Sequence, residues 1–199
     1  MKIFLTSSAY QVMDKIVSEL PMKPSELKVV FIPTAGDPYD DDRPWQKADH
    51  DKLSELGFVV TDFDLKEKTE SDVRDILGKV DVIFVAGGNT FYLLEKARES
   101  GFEKVIKELN DSDKIYIGSS AGSCIAGPDL EPIAPIDDPE KANLDNTKAF
   151  GLVDFVVLPH HGNPKYDILH EKVIKEFGNK YEIKTITNEQ TIAINDKEN

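Results

Sequence analysis

The stretch Lys114-Ile115-Tyr116-Ile117-Gly118-Ser119-Ser120-Ala121-Gly122 runs from an apolar, β-branched segment straight into a G-x-S-x-G turn. Ile115, Tyr116 and Ile117 suit a strand covered on both faces. The small residues that follow let the chain reverse sharply, and Gly118 and Gly122 supply clearance that larger side chains would block. In a strand–turn–helix setting this pattern is a nucleophile elbow, with Ser120 Oγ pushed out above the sheet edge. A helix starting at Ala121 aims its unpaired N–H groups at the same spot, and Gly127-Pro128 is expected to stop it after about two turns. The plainer reading is a small-residue turn with a serine helix cap. Neighbouring segments decide between the two.

Outward from this strand, short Val- and Ile-rich runs alternate with helical patterns. Strands are expected at 3–6, 27–33, 59–63, 80–86, 114–118 and 155–159, and helices at 10–20, 44–56, 71–77, 90–100, 101–109 and 164–177. This alternation predicts an α/β fold, a mostly parallel sheet with helices on both faces. The tail, with Tyr181, Ile183 and Thr185 before Asn188-Glu189-Gln190 and Thr191 to Ile194 after it, predicts a terminal hairpin extending the sheet edge. Residues 128–146 hold four prolines and little periodicity, as functional loops do.

Composition narrows the function. A chain of 199 residues suits one domain, 1–199. No apolar run approaches the roughly 18 to 20 residues of a membrane span, and the start of the chain is too polar for a secretion signal. A single cysteine, Cys124, fits a reducing cytoplasm, the expected location. The net charge of −13 argues against nucleic acid as a partner, and any anionic substrate would need a local cation. The expected partner is a small substrate, with the protein a monomer or homodimer.

Two segments support the elbow. Ile83 to Ala86 leads into Gly87-Gly88-Asn89-Thr90, whose loop opens at the carboxyl edge where ligands bind in open α/β sheets. There Gly88 N–H can serve as a second oxyanion donor. The plainer reading makes Gly87-Gly88 a turn, with Asn89 or Thr90 capping a helix. Phe155 to Pro159 leads into His160-His161, a source of a general base. A metal site there is disfavoured, because adjacent strand residues point to opposite faces and no third ligand lies near. His50 and His170 are expected at the surface. The third triad member is sought in 128–146 among Asp129, Glu131, Asp137 and Asp138. Glu131, between Leu130 and Pro132-Ile133, is preferred as the one held in a partly apolar setting. Cys124 is expected to pack under the elbow. Asp40-Asp41-Asp42 reads as a solvated charge run, and neither metal nor cofactor is expected.

Gly87-Gly88-Asn89-Thr90, Ser120-Ala121-Gly122 and Pro159-His160 together resemble the peptidase E (aspartyl dipeptidase) group of serine peptidases, over most of the chain. That group shares the fold of the class I glutamine amidotransferases, and cyanophycinase is a relative. The resemblance implies a serine peptidase acting on small peptides, with Ser120 as nucleophile, His160 as base and the N–H groups of Gly88 and Ala121 as oxyanion hole. Asn89, Thr90 and Lys165 are the expected substrate contacts. The arginine that gives such enzymes their aspartyl preference has no counterpart, since the chain has no arginine after Arg98. Lys165 offers only a point charge in its place. An esterase or amidase using the same elbow, or a flavodoxin-like module binding an anion at helix N-termini, are the alternatives.

Overall fold

A computed structural model describes residues 1–194 of the chain. Its strands are β1 (Lys2–Thr6), β2 (Lys28–Ile32), β3 (Val59–Asp62), β4 (Val82–Val85), β5 (Ile115–Ser119), β6 (Val156–Leu158), β7 (Ile183–Thr185) and β8 (Thr191–Ile194). The α-helices are α1 (Ala9–Val17), α2 (Pro44–Glu55), α3 (Glu70–Gly78), α4 (Thr90–Glu99), α5 (Phe102–Glu108), α6 (Ala121–Cys124) and α7 (Asp167–Phe177). No helix among the described residues is long and apolar enough to cross a membrane.

Six strands form one sheet in the order β3-β2-β4-β5-β1-β8, all parallel except β8, which runs antiparallel to β1. Alternation along each strand explains the two covered faces. Phe4, Val29, Phe31, Phe84 and Ile117 point to one side and pack with Val12, Met13 and Ile16 of α1 and Leu53 of α2. Ile3, Leu5, Val30, Ile83, Val85 and Tyr116 point to the other, against Val73 and Leu77 of α3, Leu94 and Ala97 of α4 and Ile106 of α5. The architecture is the α/β sandwich expected from the alternation of runs. Helix α3 starts at Glu70, one residue before the expected 71, because Thr69 caps it in a capping box with Asp72.

The tail departs from expectation. Strands β7 and β8 do not pair with each other as a hairpin: β8 adds to the edge of the large sheet beside β1, while β7 pairs in parallel with β6 in a separate two-stranded sheet. The stretch after β5 is also shorter than expected, a single turn of helix.

Register aligns the strand ends. Gly118 stands opposite both Leu5 and Val85, and Ser119 opposite Thr6, so the chain leaves β1, β4 and β5 at one carboxyl edge. In the small sheet Leu158 pairs with Thr185, which sets the loops after β6 and β7 side by side.

Candidate active site

Ser120 follows the fully buried strand β5 with φ 49° and ψ −106°, a conformation disfavoured for any residue with a Cβ. Backbone bonds hold it there. Its N–H donates to Thr6 O at 2.9 Å, and its carbonyl accepts from Ser123 N at 2.8 Å and Cys124 N at 3.0 Å. Beneath the turn, Ser123 Oγ accepts from Thr6 N at 2.8 Å and lies 2.7 Å from Thr6 O. Glycine at 122 is obligatory, since a Cβ there would come within 2.0 Å of Val85 O. Ser120 Oγ takes no part in this scaffolding and is free for chemistry.

His160 also has a left-handed backbone, φ 64°, and with Arg43, Glu67 and Ser120 it completes the set of positive-φ non-glycine residues among those described. Half of that set is one pair of side chains. His160 Nε2 lies 3.0 Å from Ser120 Oγ, and Nδ1 lies 2.8 Å from Asn188 Oδ1. An amide oxygen can only accept, so it fixes the proton on Nδ1 and leaves the Nε2 lone pair facing the serine hydroxyl. The imidazole stacks on Tyr166, with centroids 5.4 Å apart. The His160 backbone N–H donates to Ser7 Oγ at 2.9 Å, and Ser7 Oγ in turn donates to Ile186 O at 2.9 Å, tying the end of β1 to the loops of the small sheet.

Burial pushes the His160 pKa below its ordinary value, the Asn188 bond opposes this, and the charge of Lys165 adds to the depression. A base works only when unprotonated, so the acid limb of kcat/KM is expected below pH 6.5. Lys165→Ala should move that limb to higher pH, most clearly at low salt; a pH–rate profile of both proteins checks it.

Glu131 is not brought to His160. Its carboxylate binds Lys180 Nζ and, at 2.8 Å, Tyr181 OH in an exposed cluster, and those partners lower its pKa. The apolar flanks Leu130 and Ile133 are buried, but the side chain between them turns outward. Asp129 is also occupied. Although its burial works the other way, bonds from Thr147, Glu131 N–H, Lys148 and Tyr181 hold its pKa down to about 2. Asp137 caps α4 by accepting from Thr90 N at 2.6 Å and Asn89 Nδ2 at 3.0 Å. Asp138 Oδ1 accepts from Glu140 N. Asn188, an amide rather than one of the four expected carboxylates, stands in the third position of the triad. Reading 183–185 as a parallel partner of 156–158 would have found it.

Asn89 is 1% exposed and is a helix cap, not a substrate contact: Oδ1 accepts from Tyr92 N, and Nδ2 is shared by Asp137 and Asp138 O. Gly88 has φ 150° and its Cα faces Ala35 O so closely that a Cβ would lie 2.0 Å away. Among the described residues neither Gly88 N–H nor Ala121 N–H has a backbone acceptor. His170 is buried, not at the surface, and stacks between Tyr166 and His161. Cys124 Sγ packs under the elbow 3.5 Å from Val157 O, and burial pushes its thiol up, away from reactivity.

Two recesses open onto the Ser120–His160 pair. One, of about 430 Å³, has walls that include Tyr10, Tyr39, Trp45 and Asp49. The other, of about 230 Å³, includes Thr90, Ile133, Ile136, Asp137 and Leu169. Gly88 and Lys165 border both. Among the described residues no group of three or more His, Cys, Asp or Glu side chains is placed to hold a metal ion.

Comparison with known proteins finds relatives over nearly the whole chain. The profile of peptidase family S51 matches residues 3–199. The chain is 36% identical over 197 residues to an uncharacterized peptidase, Lmo0363, of Listeria monocytogenes, with 98% of this chain and 95% of that protein covered. A crystal structure of a candidate peptidase E from Listeria monocytogenes EGD-e superposes with a TM-score of 0.91 at 35% identity, covering 99% of this chain and 95% of the other. Peptidase E of Shewanella denitrificans is 32% identical over 145 residues, which is 72% of this chain and 57% of that protein.

Proposed function

We propose, from the premise that this chain belongs to peptidase family S51, that it cleaves small peptides by acyl transfer through Ser120. The carrying observation is the 3.0 Å approach of His160 Nε2 to Ser120 Oγ, with Nδ1 held by Asn188. His160 takes the hydroxyl proton as Ser120 Oγ attacks the peptide carbonyl, and then gives that proton to the leaving amine. Gly88 and Ala121 N–H groups receive the oxyanion. Water, deprotonated by the same imidazole, releases the acyl group. Asn188 orients the ring but adds no charge, so the imidazolium formed in the transition state gets less help than an aspartate would give.

Substrate size follows from the recesses. Together they fall within the range that encloses a small ligand, and both are lined by Ser120 and His160, which suits a short substrate that fills the two. This supports dipeptidase-like action. A fluorophosphonate should label the protein at Ser120, identified by peptide mass mapping, and His160→Ala should suppress that labelling. Labelling that persists at full rate in His160→Ala, or that falls on another residue, would reject the assignment.

A further inference from the structure

The larger recess has an electrostatic character that the catalytic pair does not require. Asp49, on α2, is 2% exposed yet borders that recess. Its Oδ1 accepts from Tyr10 N at 2.9 Å, and the Ser119 side chain also bonds to it. Those are dipoles, not countercharges. Burial dominates its titration, with no cation among the influences, and pushes its pKa up to about 6. Around it stand Tyr10, Tyr39 and Trp45, the last two edge to face with centroids 5.6 Å apart. Asp41 adds a second carboxylate at the exposed rim. Lys165 is the cation among the lining residues.

We propose that this recess receives a primary ammonium group of the substrate, with Asp49 as its counterion, aromatic faces around it and Asp41 at the entrance. A desolvated carboxylate without a cation gains most from a positive ligand, and tyrosine and tryptophan rings favour the same charge. The opposite substrate, with an acidic residue in this recess, meets two like charges. The inference rests on the peptidase reading for its substrate being a peptide. The ammonium has two sources, the free amino terminus or a lysyl side chain.

The test separates them and stays independent of turnover. Binding to Ser120→Ala is measured by calorimetry at pH 7.5 for lysyl-alanine, norleucyl-alanine, their N-acetylated forms and aspartyl-alanine. N-acetyl-norleucyl-alanine, which has no ammonium, should bind about tenfold or more weakly than the best of the set, and aspartyl-alanine more weakly than norleucyl-alanine. A loss on acetylation of both parents assigns the amino terminus; a loss on exchanging lysyl for norleucyl assigns the side chain. Asp49→Asn in the same background keeps an acceptor for Tyr10 N–H and should erase the discrimination without lowering the melting temperature. Asp41→Asn, at an exposed position, should weaken it in part.

Equal binding of N-acetyl-norleucyl-alanine and the charged peptides would overturn the proposal, as would discrimination that survives Asp49→Asn. The comparison among peptides needs no variant at Asp49, so poor folding of Asp49→Asn leaves it decisive. Should the wild-type protein cleave none of these peptides while Ser120→Ala still binds the charged ones selectively, the peptidase reading fails and the ammonium site stands. Cleavage of all of them without regard to charge overturns the ammonium site alone.

Discussion

Ser120→Ala should lower kcat for peptide hydrolysis by about 10⁴- to 10⁶-fold while leaving the fold intact, the range seen when a serine nucleophile is removed and only oxyanion stabilisation and binding remain. The structure says why the fold survives. The bonds that shape the turn come from the Ser120 backbone and from Ser123, Thr6 and Tyr116, and none from Ser120 Oγ. Ser120→Gly makes the sharper comparison. At φ 49° and ψ −106° a Cβ is a liability, and its removal relieves backbone strain of about 1 kcal/mol or more. A protein of this size should then melt roughly 2 to 4 °C higher per kcal/mol gained. Both variants should be inactive, but Ser120→Gly should be the more stable in a thermal scan. Residual turnover above about 1% of wild type in Ser120→Ala, or a lower melting temperature for Ser120→Gly, would break the link between strain and nucleophile.

Asn188→Ala should cost on the order of 10²-fold in kcat, the penalty of letting the imidazole drift by about an ångström from its attack geometry. The base itself remains, so the loss is smaller than for the nucleophile. Asn188→Asp gives a test that a purely structural residue would fail. A carboxylate at 2.8 Å from Nδ1 stabilises the imidazolium, raises the His160 pKa and moves the acid limb of kcat/KM to higher pH. Glu131→Gln, by contrast, should leave both rate and profile unchanged, since its partners are Lys180 and Tyr181. Steady-state kinetics across pH on the three variants decide between Asn188 and Glu131.

The contrast shows which kind of information the sequence carries. The elbow was legible because three constraints fall within nine residues: an apolar strand, flanking glycines and the small residues between them. Strands β1, β2, β4 and β5 were legible for a similar reason, since burial on both faces leaves an unbroken apolar run. Position within the small sheet was not. Strands of three residues, β6 and β7, carry almost no periodic signal, and polar Thr187 to Gln190 between β7 and β8 looks the same whether the strands pair with each other or with different partners. The orientation of Asn188 depends on that choice. Glu131 failed for another reason: apolar neighbours in sequence say nothing about which way one side chain leaves a tight 3₁₀ turn. Asn89 satisfied both of its readings as sequence, and only its filled hydrogen bonds make it a cap.

The nucleophile and its base are rooted in different bodies of hydrogen bonds. Ser120 stands on the six-stranded sheet, whereas His160 and Asn188 extend from a pair of three-residue strands, coupled to β1 through Ser7 Oγ. Alignment of the catalytic pair is therefore a property of how two separately hydrogen-bonded sheets dock on one another, and belongs to neither sheet alone.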